Sequence, residues 1–233
     1  MIDRACKRVR WTLALAALAY ACAAGAADPN KVLRVASPDV DTLDPQQATT
    51  IPAQRVINAI YEGLYNWDYL NTPAGLVPVT ASAPPEISDA GMTWLIKLKP
   101  GVYFTDDPAF RGKPRELIAE DYVYSLKRRL DPNLSRGGDT VMTDLIVGAR
   151  TVVDAAKRPP ARYDYDRPIE GLRAVGRYTL QLRLNALNYP SVQVFLAVPA
   201  VAREVVETAG GDIRTHAVGT GPYRLREWRR GSK

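Results

Sequence analysis

His216 is the only histidine in the chain, so any chemistry that needs an imidazole must be built on it. One histidine excludes a histidine metal cage, and a nucleophilic triad would have to be built around it with a serine partner that no motif supports. Its place just before a glycine turn favours a structural or surface role. Two groups of acids, Asp106 with Asp107 and Asp164 with Asp166 in YDYDRP, have the residue types for paired-carboxylate or calcium chemistry. Neither has the glycine and terminal glutamate spacing of an EF-hand, and both read as solvated loop acids. GTGPY, residues 219–223, lacks the Gly-x4-Gly-Lys-Ser/Thr pattern of a phosphate loop. Its glycines read as permitting a tight backbone passage into a following strand. Tyr61, Tyr65, Trp67 and Tyr69 are grouped closely enough to line a ligand cleft, but packing under a loop is the favoured reading.

The two cysteines add no chemistry, because Cys6 and Cys22 both lie in the first 26 residues. That stretch joins a basic start, with Arg4, Lys7, Arg8 and Arg10, to the apolar run WTLALAALAYACAAGA. It reads as a secretory signal peptide over 1–26, cleaved before Ala27 at the small residues Ala24-Gly25-Ala26. A lipid anchor at Cys22 is disfavoured by the bulky Tyr20 where a small residue is wanted. Loss of the four basic residues and Asp3 lowers the formal charge from +6 to +3. A modest, dispersed charge argues against a nucleic-acid partner and leaves no polybasic membrane anchor.

The elements that must position these residues alternate strand and helix patterns. KVLRVAS, residues 31–37, reads as a buried strand. Apolar residues at Ala53, Val56, Ile57, Ile60, Tyr61 and Leu64 predict an amphipathic helix, with Pro52 in its first turn behind Thr50 or Ile51. MTWLIKLK and VYF predict two strands around Pro100-Gly101. AEDYVYSLKRRL predicts a helix with acids at its front, basic residues at its back and Asp131-Pro132 as its stop. A further helical pattern runs from Thr140 to Ala156. LRAVGRYTLQLRL predicts a hairpin turning at Gly176-Arg177. Val201 to Ala209 predicts a helix closed by Gly210-Gly211. The fold class is α/β, or mixed α+β.

TLDPQQATT, INAIYEGLYNWD, WLIKLKPGVYF, RELIAEDYVYSLKRRLDPN, LRAVGRYTLQLRL and VGTGPYRLREWRRGSK occur in an order that resembles extracellular solute-binding protein family 5. These are the oligopeptide and dipeptide receptors of bacterial ABC importers. The resemblance implies a periplasmic binding protein type II-like lobe with an inserted small α+β domain. Residues 27–61 and 189–233 would form the first domain and residues 62–188 the insertion, with the second lobe missing from this sequence.

It further implies an oligopeptide or dipeptide ligand, an ABC permease of the inner membrane as partner, a monomer in the periplasm, no enzymatic activity and no cofactor. The matching ligand-facing positions are Thr49, Thr50 and Ile51, where the family chain offers backbone groups to the peptide. Thr49 departs from the acidic residue that some peptide receptors carry there, which puts recognition of amines and basic peptides in doubt. The acid that holds the peptide's amino terminus in the family has no counterpart here. A one-walled cleft is expected to bind peptide weakly or not at all. Two other outcomes remain open from the sequence: a receptor for nickel, haem or glutathione, and a non-binding product of an interrupted gene.

Overall fold

The computed structural model describes residues 39–68, 70, 75–134, 138–158 and 160–229 of the 233. The export signal expected over 1–26, the strand expected at 31–37, Tyr69 and residues 230–233 lie outside the described residues. The rest is a mixed α/β structure built on one four-stranded antiparallel sheet. β1 (Tyr65–Trp67) and β2 (Leu76–Pro78) form a separate two-stranded ribbon. The main sheet has the order β3 (Glu86–Ser88), β4 (Thr93–Lys97), β6 (Thr179–Arg183), β5 (Leu172–Gly176).

α1 (Ile51–Ile60) begins at Thr50, whose hydroxyl accepts from the Ala53 amide, with Pro52 in the first turn. It buries Ala53, Ile57 and Ile60, one stripe at helical spacing; the helix ends at Ile60, and Tyr61 and Leu64, expected on it, are buried in the chain beyond its end. The hairpin of β5 and β6 forms as expected, with a register shift between Ala174 and Gly176 that moves the turn to Arg177 and Tyr178. In β6, Leu180 and Leu182 are 0% and 1% exposed, which fixes which face meets the core.

The expected hairpin at Pro100-Gly101 does not form. β4 pairs instead with β6, Ile96 opposite Leu180, and with β3 on its other side. The VYF segment turns away to meet residues 115–117: Phe104 N donates to Arg115 O and Leu117 N to Val102 O. Trp94, Ile96 and Leu98 are buried. β6 offers β4 a matching apolar face, worth about 1.5–3 kcal/mol for each large side chain covered, and a local turn back onto VYF offers less.

α2 (Ala119–Leu130) follows its predicted bounds, with the Asp121 carboxylate accepting from Ile118 N at its start. It is buried on nearly all sides, Lys127 and Arg128 included. The Thr140–Ala156 pattern is two helices, α3 (Thr140–Leu145) and α4 (Ala149–Ala156). They are separated where Ile146 bridges to Leu184 and Gly148 takes a φ of +79°. α5 (Tyr189–Leu196), not foreseen from the sequence, precedes α6 (Arg203–Thr208), which is shorter than expected and stops before Gly210-Gly211. Among the described residues no helix is long and apolar enough to cross a membrane.

Candidate functional site

The segment that carries Thr49, Thr50 and Ile51 is fixed from both ends. Ahead of it, Asp44 sits in a turn: its own amide donates to Thr42 Oγ1, and its carbonyl accepts from the amides of Gln47 and Ala48. The Asp44 carboxylate accepts from Gln46 N at 3.0 Å, from Gln47 Nε2 at 2.7 Å and from both terminal nitrogens of Arg128 at 2.8 and 3.1 Å. Arg128 also donates to Gln46 Oε1 at 2.6 Å, and Gln46 Nε2 donates to Pro199 O. Leu43 N donates to Arg214 O, closing the turn onto a later part of the chain. Behind the segment, the Thr50 hydroxyl donates to Asp41 Oδ1, and Gln54 Nε2 reaches back to Ala48 O.

Burial alone would lower the pKa of the Arg128 guanidinium. The charge of Asp44 and its hydrogen bonds override that, and Arg128 is held above its ordinary value. A guanidinium with three acceptors on two side chains uses its planar fork more fully than an ammonium could.

The three expected ligand-facing residues do different things. Thr49 is exposed and lines a cavity of about 380 Å³ with Gln46, Gln47, Ala48, Arg129, Leu134, Gly138, Asp139 and Thr140. Thr50 is half-buried and serves as the cap of α1. Ile51 is 70% exposed and does not line that cavity. Across the cavity Arg129 Nε donates to Asp139 Oδ2 at 3.3 Å, Asp139 N donates to Arg129 O, and Asp139 Oδ1 caps α3 by accepting from Met142 N. Asp44, Gln46, Arg128, Arg129 and Asp139 were not foreseen as parts of a site.

The other residues with chemical potential are held in structural roles. His216 Nε2 lies 2.7 Å from Asp107 Oδ2, and Asp107 Oδ1 accepts from Ala109 N. The Asp107 side chain is 7% exposed, so it is not the solvated acid expected; capping the short Pro108–Phe110 turn and bonding His216 draw it inward. Asp106 is exposed. Asp164 caps the amides of Asp166 and Arg167, and Asp166 pairs with Arg203, whose hydrogen bonds and charge lower its pKa. Among the described residues no group of three His, Cys, Asp or Glu side chains is placed to hold a metal.

Tyr61 and Tyr65 are each 2% exposed, with Tyr65 OH donating to Ala83 O, and Trp67 is 39% exposed; all three line one cavity of about 310 Å³. GTGPY does make a close backbone passage. Gly221 N donates to Ile60 O, and a Cβ built on Gly219 would lie 2.1 Å from that same oxygen. No strand is formed among the described residues that follow it.

A second charged cluster joins α2 to α6. Arg115 donates to the Asp121 carboxylate at 2.6 and 3.0 Å and to Glu204 at 2.8 Å. Burial raises the Asp121 pKa against the pull of Arg115. At Glu204 burial acts upward too, but the hydrogen bond and charge of Arg115 prevail and the net shift is downward. Every charge in this trio has a partner, which suits a fastening of α6 better than an open site.

Residues 75–233 match the family described as bacterial extracellular solute-binding proteins, family 5 Middle. Protein XP55 of Streptomyces lividans is 29% identical over 251 aligned positions, covering 97% of this chain and 40% of that protein. The glutathione-binding protein GsiB of Escherichia coli is 28% identical, covering 91% of this chain and 34% of that one. Among solved structures, Listeria monocytogenes OppA bound to peptide superposes with a TM-score of 0.63 at 24% identity, over 83% of this chain and 35% of its own. The pheromone receptor PrgZ superposes with a TM-score of 0.66 at 22% identity, over 83% and 36%. The structural likenesses establish the fold, and the chain spans well under half the length of these proteins.

Proposed function

This chain belongs to the bacterial extracellular solute-binding proteins of family 5, and from that membership we propose that it supplies one wall of a peptide-binding cleft in a periplasmic receptor serving an ABC permease. The observation that carries the reading is the placement of Thr49. It stands exposed at a cavity that Arg129, Asp139 and Thr140 also line, while the turn before it is held by buried bonds. Of 49–51, Thr49 is the position such a wall leaves for an extended peptide to pair with through its backbone, in the manner of an added strand, because the Thr50 carbonyl already accepts from Gln54 N and Ile51 opens α1. Main-chain pairing provides affinity without demanding particular side chains. Closure of a second wall over the peptide would complete the cleft.

The division into a first domain of residues 27–61 and 189–233 and an insertion of 62–188 belongs to the same proposal. It is supported by bonds that tie the early segment to the late one: Leu43 to Arg214, Gln46 to Pro199 and Gly221 to Ile60. A second reading, a receptor for glutathione, is favoured by the similarity to GsiB.

Calorimetric titration of trialanine, tetra-alanine and glutathione into the protein recovered from the periplasm tests both readings. Micromolar binding of the alanine peptides supports the first, and binding of glutathione alone supports the second. No heat with any of the three overturns both. An intact mass measured on the same preparation establishes how much chain accompanies this wall.

A further inference from the structure

We propose that Arg128 is a positioning residue for the ligand wall: it never meets the ligand, and it sets the backbone that does. The inference rests on the peptide-receptor reading for its purpose, but its physical basis is independent of any ligand. Arg128 is among the largest fully buried side chains of the protein, and its side chain is 1% exposed. Its guanidinium reaches Asp44 Oδ1, Asp44 Oδ2 and Gln46 Oε1, at the start of the turn that ends in Thr49. The Gln46 amide rests on the same carboxylate that Arg128 holds, and the Gln47 and Ala48 amides rest on the Asp44 carbonyl.

The next residue serves the other side of the cavity. Arg129 bonds Asp139 through its side chain and accepts the Asp139 amide on its carbonyl. Two consecutive residues in the last turn of α2 therefore bond both chain segments that line the cavity, Arg128 through Gln46 and Arg129 through Asp139. The guanidinium fork is what allows this. A lysine ammonium at the same place is a point donor on a flexible stem and cannot hold a carboxylate in plane while also reaching Gln46. Buried polar networks of this kind fix one arrangement because every alternative leaves a charge without partners.

The test is hydrogen exchange on the ligand-free chain carrying Arg128→Lys, read at two places. The expected result is exchange at least tenfold faster at the amides of Gln46, Gln47 and Ala48, with Leu180 and Leu182 in β6 unchanged. Exchange at 46–48 equal to the parent protein overturns the proposal, and so does a uniform rise across the chain, which would mark Arg128 as a general stabiliser. If Arg128→Lys does not fold, Gln46→Met keeps the Arg128–Asp44 pair and removes one arm of the network. A local rise at 46–48 in that variant is then required, and its absence overturns the proposal.

Trialanine affinity of the periplasmic form provides the second readout. A loss of tenfold or more in Arg128→Lys is expected, and unchanged affinity despite a loosened turn overturns the link to the ligand. Failure of the parent protein to bind trialanine refutes the peptide reading by itself, whereas an unresponsive 46–48 segment refutes the role of Arg128.

Discussion

Arg128 and Asp44 are 84 positions apart and meet through two hydrogen bonds, of 2.8 and 3.1 Å, in a place where neither side chain is more than 1% exposed. Neither charge can return to water without opening the packing of α2. Breaking such a pair by removing one partner leaves a buried ion uncompensated, which costs about 3–5 kcal/mol. Arg128→Met is therefore expected to lose about that much in urea unfolding, and adding Asp44→Asn should recover a substantial part by removing the orphaned charge. A single variant within about 0.5 kcal/mol of the parent would show that the pair is solvated or dispensable.

Gly219 and Gly221 pass the end of α1 where no side chain fits. A Cβ on Gly219 would meet Ile60 O at 2.1 Å and Tyr61 Cα at 3.0 Å, both backbone atoms that cannot rotate away. Gly219→Ala is expected to destabilise the protein by more than about 2 kcal/mol, in the range of overpacked sites. Gly75→Ala, with nothing within 4 Å of the added carbon, should leave the thermal midpoint unchanged. Equal midpoints for the two variants in a thermal melt would refute the close passage.

Glu116 ties together two turns, at Gly101 and at Arg177-Tyr178. Its carboxylate accepts from Arg177 Nη2 and Tyr178 OH at 2.9 Å and from Gly101 N at 2.7 Å, so its pKa is lowered from 4.5 to about 2, mainly by the Arg177 hydrogen bond. With the folded value below the unfolded one, its contribution to stability is complete above pH 4.5 and is lost as pH falls towards 2. Urea midpoints at pH 5 and pH 3 should differ more for the parent than for Glu116→Gln. Asp212 is lowered to about 2 by Arg214 and contributes to the same acid limb, so the variant flattens the dependence without abolishing it. Identical pH profiles for parent and variant would contradict the assignment.

Local signals carried far in the sequence, and they failed where the deciding partner is remote. α1 was legible from Pro52 behind Thr50 or Ile51 and an apolar period, and α2 from acids at its front, an apolar period and the Asp131-Pro132 stop. The β4 hairpin was misread because its partner, β6, lies some 80 residues downstream, and no local pattern distinguishes that partner from VYF. Lys127 and Arg128 looked like solvated charges facing the helix dipole, since they lie off the apolar stripe. α2 is covered on that face as well, so burial follows from tertiary packing that a helical wheel cannot contain. Of the candidate site, Thr49, Thr50 and Ile51 were reached only through resemblance. Asp44 and Arg128 were missed because a loop acid and a helix-end arginine are individually commonplace, and only the fold brings them together.

Thr49 gives the most direct trial of the ligand wall, because it can be changed without touching that network. It is exposed and lines the cavity, so Thr49→Trp should fold within about 0.5 kcal/mol of the parent while filling space a ligand would need. In the protein isolated from its source cell, trialanine affinity is expected to fall at least tenfold with the urea midpoint unchanged. Thr49→Glu asks a finer question, since it adds a negative charge to a cavity that already holds the Arg129–Asp139 pair. Peptides with a lysine side chain should then gain affinity relative to alanine peptides, and more so at low salt, where a partly screened charge acts over a longer range. If both substitutions leave every affinity unchanged, the cavity beside Thr49 is not where the ligand lies, and the wall must be sought elsewhere on the chain.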